Sequence, residues 1–116
     1  MITYHLVPKT YYESCDPNAP YKPGDFDKDG FIHCTDGIDN VVEIGDRYYK
    51  DRAGAWLLLV IERTKVDAPV RYEDPERLYP HIYGALNRDA IVEVVPIERA
   101  PDGTFLPPAV QVRDRE

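Results

Sequence analysis

Apolar and polar side chains alternate from Ile2 to Val7; Gly30 to Thr35, Pro69 to Glu73 and Tyr79 to Tyr83 share that strand character, and Ala90 to Ile97 is a mostly apolar segment of strand length. A period of two puts successive side chains on opposite faces of an extended backbone, so each segment is predicted to be a short strand. Ala55 to Ile61 breaks the alternation, because Trp56, Leu57, Leu58, Leu59, Val60 and Ile61 are apolar without interruption. A run of strand length with two apolar faces predicts a central strand covered on both sides. Ile38, Val41, Val42, Gly45, Tyr48 and Tyr49 recur at helical spacing, with Asp36 placed as the cap and Asp39 near the positive helix end. Pro8 opens a second, short helical segment through Tyr11 and Tyr12. Asp16 to Gly24, with Pro17, Pro20 and Pro23, reads as a loop ordered around Tyr21, and Pro101-Asp102-Gly103-Thr104 as a turn into Phe105.

About six short strands, one main helix and one short helix, with the helices in the first half, predict an α+β fold. Its sheet is mainly antiparallel or mixed, without alternating βαβ units. The 116 residues form one domain, 1–116, with an ordered core over about 2–106 and a polar tail over 107–116.

Composition narrows the classes. At 43% hydrophobic and 30% charged residues the chain reads as globular. The apolar run at 55–61 is too short to span a bilayer and the amino terminus lacks signal-peptide character, so the expected location is cytoplasmic, with no membrane partner. Cys15 and Cys34 lack CxxC spacing and read as buried free thiols. A net charge of -7 repels polyphosphate and disfavours extended nucleic acid, while leaving room for a small phosphorylated ligand in a local pocket.

The chain has three histidines, each within a predicted strand. By alternation His5 shares a face with Thr3 and Val7, His33 with Phe31 and Thr35, and His81 with Tyr79 and Tyr83. Each therefore lies opposite a more aliphatic face, and three neighbouring strands would join them into one polar, aromatic surface. Such a group could act as acid, base or phosphate donor. His5, His33 and His81 are the candidate catalytic residues, and Thr35, Tyr83 and Glu73 the candidate ligand contacts. Thr35 also fits a plain cap or turn residue, and Glu73 a solvated edge carboxylate. Three histidines suffice for zinc, but none are close in sequence and no acidic partner for them is evident, so no metal is assigned. Asp25, Asp27 and Asp29, followed by Gly30, Ile32 and Asp36, match the front of an EF-hand loop. The prolines upstream preclude the incoming helix, so an acidic turn before a strand is the preferred reading over calcium.

Several of these segments together resemble the family catalogued as domain of unknown function 952: Tyr4-His5, Gly-Phe-Ile-His-Cys-Thr at 30–35, Tyr48-Tyr49, Leu57 to Ile61, Tyr72-Glu73, Pro-His-Ile-Tyr-Gly at 80–84, and Ala90 to Ile97 before Asp102-Gly103. That resemblance implies a minimal ADP-ribosyltransferase fold, a split sheet with a central cleft, for which the tRNA 2′-phosphotransferases are the nearest comparison. NAD or ADP-ribose is the cofactor so implied, with His5 and His33 contacting ribose and phosphates. The family of folds usually holds a late carboxylate, for which Glu73 is the nearby candidate, and neither Arg71 nor Arg88 can be matched to the phosphotransferases' phosphate-binding arginines. The expected function is a histidine-lined cleft that binds or processes a nucleotide or phosphorylated small molecule, by ADP-ribosyl or phosphoryl transfer if it is an enzyme. The alternatives are a noncatalytic small-ligand-binding module and a calcium- or zinc-binding protein.

Overall fold

The computed structural model describes residues 1–108. Its six strands are β1 (Ile2–Pro8), β2 (Ile32–His33), β3 (Trp56–Glu62), β4 (Val70–Tyr72), β5 (Pro80–Ile82) and β6 (Ile91–Ile97). The helices are α1 (Lys9–Ser14), α2 (Phe26–Asp29) and α3 (Ile38–Tyr48). Two antiparallel sheets result, one in the order β1-β3-β6 and one in the order β2-β5-β4. The architecture is α+β, as the pattern predicts. The part of the expected polar tail beyond residue 108 lies outside the described residues.

The uninterrupted apolar run becomes the middle strand, β3, with two covered faces. Leu58 and Val60 join Tyr4 and Val95 in packing against Val41 and Ile38 of α3. Leu57, Leu59 and Ile61 on the opposite face join Val7 and meet Ile32, Cys34 and Ile82 of the second sheet, with Tyr21 and Leu86 closing the cluster. Full burial of each such aliphatic side chain contributes about 1.5–3 kcal/mol, so this two-sided strand is the main source of cohesion. Trp56 packs with Ile97 and Phe105 in a third cluster.

Three local expectations are corrected. Gly37, not Asp36, is the N-cap of α3. The Asp36 carboxylate instead accepts from the Tyr72 hydroxyl, which itself receives a bond from Arg63. The acidic turn is a helical one: Asp25 starts it, and Gly30 ends it in the left-handed conformation at φ 82°. This shortens the predicted 30–35 strand to Ile32–His33 plus a bridge at Thr35. Of the two thiols, Cys34 is buried and Cys15 only partly so.

The two sheets touch at one point and then part. Tyr4 and Thr35 exchange backbone hydrogen bonds of 3.0 and 2.8 Å. In an antiparallel ladder the next such pair would be Leu6 with His33. That pair does not form, and the His33 carbonyl is taken by the His5 side chain, whose Nδ1–H donates to it at 2.7 Å. The Tyr21 hydroxyl donates to Nε2 at 2.8 Å, which fixes the neutral tautomer. His5 is thus not on an open polar face, as alternation suggested. It shares its side of β1 with Thr3 and Val7 against the core between the sheets, and only 7% of it is exposed.

Two consequences are testable. A Cβ on Gly45 of α3 would lie 2.8 Å from the Phe105 ring. Although alanine ordinarily favours a helix interior over glycine by about 0.5–1 kcal/mol, Gly45→Ala is expected to destabilise by about 1–3 kcal/mol, read as a lower urea midpoint. Burial lowers the His5 pKa from its ordinary 6.5 to about 4. The unfolded chain therefore takes up a proton at this residue that the folded chain refuses, and stability from this group, complete above pH 6.5, is lost as pH falls toward 4. The loss amounts to about 3 kcal/mol, and His5→Gln, measured by denaturation at each pH, should lack that part of the slope.

Candidate functional site

The second sheet turns its aliphatic side, Ile32 and Ile82, to the core and its other side to solvent. Alternation puts Phe31 and His33 of one strand beside His81 and Tyr83 of the next on that outer side. His33 pairs directly with His81 in the register. Their ring centroids are 5.4 Å apart. Phe31 lies against both, stacked on His81 at 4.0 Å and edge-on to His33 at 4.7 Å.

Each of these two imidazoles has its own carboxylate. Asp29, at the end of α2 and four residues before His33, accepts from Nε2–H at 3.0 Å. Glu73, just past β4, accepts from His81 Nδ1–H at 3.0 Å and also from the Tyr83 hydroxyl. The Tyr83 hydroxyl bond and then the His81 ring hold the Glu73 carboxyl below its ordinary value, so it stays an anion. The hydrogen bond to Glu73, then desolvation and the Glu73 charge, raise the Tyr83 pKa in turn. Arg71 lies over the Tyr83 ring at 5.4 Å and opposite His81 in the register. The acidic partners that sequence reasoning did not find for the histidines are therefore Asp29 and Glu73.

A cleft of about 850 Å³ opens where β1 and β2 diverge. His5, Leu6, His33 and Thr35 line its base, α2 supplies Lys28 and Asp29, and the carboxyl end of α3 supplies Arg47 and Tyr48, with Tyr49 and Arg52 just beyond. Because alternate residues of β1 bond to β3, the intervening Leu6 N–H and C=O turn toward this opening. Arg52 is held over Trp56 at 5.1 Å and Tyr49 at 5.6 Å. Burial raises the Tyr49 pKa; the Arg52 charge opposes the rise, and the charges of Asp25 and Asp29 on the facing wall add to it.

The structure brings together His33, His81, Tyr83 and Glu73 on the outer face, and His5, His33 and Thr35 at the cleft. His33 belongs to both groups, and His5 and His81 do not share a surface. Thr35 is buried and is fixed by its backbone bridge to Tyr4. Asp25, Asp27 and Asp29 do not converge on a point, and among the described residues no group of three or more His, Cys, Asp or Glu is arranged to hold a metal ion. Nothing in the spacing of Lys28, Arg47 and Arg52 marks them in the sequence as lining a cleft. Tyr48-Tyr49 carried the one usable signal, as an aromatic pair at the end of the main helix.

Among the described residues no helix is long and apolar enough to cross a membrane. Two crystal structures of protein CC0527 from Caulobacter crescentus, one of them a double mutant, share this fold with a TM-score of 0.76 at 16% identity. Each comparison covers 91% of this chain and 94% of that protein. No curated protein matches. The family DUF952, described as a protein of unknown function, matches residues 6–94. The match takes in β1 from Leu6 onward, both outer-face histidines and β6 up to Val94, and the chain belongs to the DUF952 family.

Proposed function

We propose that the protein binds and processes a nucleotide or another phosphorylated small molecule in the cleft between β1 and β2, in the manner of an ADP-ribosyltransferase-like or phosphotransferase-like fold. The observation that carries this reading is the company His33 keeps: a carboxylate-held imidazole at the edge of a cleft whose walls bear Lys28, Arg47 and Arg52. A volume of about 850 Å³ is that of a small-molecule site, in the usual range of about 300–1,000 Å³. Three cations on the walls offset the chain's overall charge of -7 where a phosphate would enter. Tyr48, 63% exposed, offers an open ring for stacking. The Leu6 N–H and C=O supply a paired donor and acceptor suited to an amide or a base edge. NAD and ADP-ribose combine these features, and the family resemblance favours them.

Thermal unfolding with NAD, ADP-ribose, ADP and AMP tests the reading. A ligand at about 100 times its Kd stabilises the fold by about 2.7 kcal/mol. The expected result is a raised Tm with at least one of these compounds, and a smaller rise in His33→Ala and Arg47→Ala, both of which alter exposed side chains. No change in Tm with any of the four at millimolar concentration overturns the proposal.

A further inference from the structure

The outer face of the second sheet holds more chemistry than binding requires. His33 gives its Nε2–H to Asp29, which leaves Nδ1 free of that bond, and His81 gives its Nδ1–H to Glu73, which leaves Nε2 free of that one. Each ring thus keeps one nitrogen for an outside proton while a carboxylate stabilises the cation that forms when the proton arrives. The rings meet edge to face across paired strands at a centroid distance of 5.4 Å. Two imidazoles so placed can take a proton from one oxygen and deliver one to another in the same event. Glu73, already engaged by His81 and Tyr83, orients its histidine and is not free to meet a sugar carbon. Proton transfer is therefore the chemistry this face is built for, and a phosphorus centre flanked by an entering and a leaving oxygen is the substrate that needs it.

We infer that His33 and His81 work as a base and acid pair on a phosphodiester that adjoins a free ribose 2′-hydroxyl. The inference rests on the reading that a phosphorylated ligand occupies the cleft at His33. The neutral ring removes the 2′-hydroxyl proton as the 2′-oxygen bonds to phosphorus. The bond from phosphorus to the 5′-oxygen breaks, its electron pair departs on that oxygen, and the protonated ring supplies the proton. The products are a 2′,3′-cyclic phosphate and a free 5′-hydroxyl, and the pair ends with the protons it began with, exchanged between rings. Arg71, opposite His81 and over Tyr83, places a cation near the phosphorus as charge gathers on its oxygens. A net charge of -7 limits the substrate to a short one with few phosphates.

The full chain is incubated with uridylyl-3′,5′-adenosine and with its 2′-deoxy analogue, cyclic phosphate is quantified by chromatography, and analogue binding is followed by thermal shift. Cleavage of the ribose compound alone is expected, slowed about 100-fold or more in His33→Ala and in His81→Ala. His81→Gln and Glu73→Gln, which alter size little, should also slow turnover while analogue binding persists. If the wild type binds the analogue without cleaving the ribose compound, the acid–base inference falls and the cleft reading stands. Cleavage as fast in either alanine variant as in the wild type also overturns it. If neither binding nor cleavage occurs with any nucleotide tried, both readings fall.

Discussion

The cleft depends on two hydrogen bonds made by one neutral imidazole. His5 takes the His33 carbonyl that a continued ladder would have offered to Leu6, and Tyr21 secures the other ring nitrogen. Without a side chain in that place β1 and β2 would either zip together, closing the cleft, or leave a buried carbonyl unpaired at a cost of about 1–3 kcal/mol. The imidazole thus separates two strands while satisfying the group their separation exposes. Burial disfavours its charged form, and the neutral form is the one that can donate from Nδ1 and accept at Nε2 together. Tyr21, fully buried within a proline-rich loop, is brought there by its backbone pairing with Leu86, so the connection between β1 and β2 itself sets the geometry of their fork.

Much of this was legible in the chain. The two-faced apolar run became β3, and the other strand-like segments became the other five strands, four of them by an alternation that survives any choice of partner and β6 from a Val-rich run. The outer-face cluster followed from the same rule, since Phe31 with His33 and His81 with Tyr83 need only adjacent strands to meet. Alternation failed for His5 because it gives relative faces and not which face is covered. The polar neighbour Thr3 suggested solvent, yet Thr3 is itself buried. Asp36 looked like a cap from its place before the helix, but Gly37 at φ 85° turns the chain and sends that carboxylate to Tyr72. The cations of the cleft were not legible because their grouping arises from the approach of α2 to the end of α3, a tertiary event with no periodic trace.

Charge is distributed to suit this division. Most of the acidic excess lies away from the fork, while Lys28, Arg47 and Arg52 line it. Asp25 and Asp29 sit on the facing wall, and Asp29 is occupied by His33. Under the proposed reading a phosphate entering there would meet cations at the walls and an imidazole at the base, whereas a long polyanion would first meet the field of the whole molecule.

His33 is the residue at which the two halves of the site meet. It is on the edge strand of the second sheet, so its ring reaches the outer face while its carbonyl faces the fork and binds His5. Any shift of β2 moves the catalytic candidate and the cleft base together. The strand is only two residues long, too short to hold such a position by its ladder alone, and is pinned instead by Cys34 N–H to Pro80, Thr35 to Tyr4, and the His5 bond. Three anchors on two strands, one on β5 and two on β1, replace length with cross-links. A short, multiply tethered edge strand can present a reactive side chain on an exposed surface without the mobility such exposure usually brings, because its backbone groups are bonded on both sides.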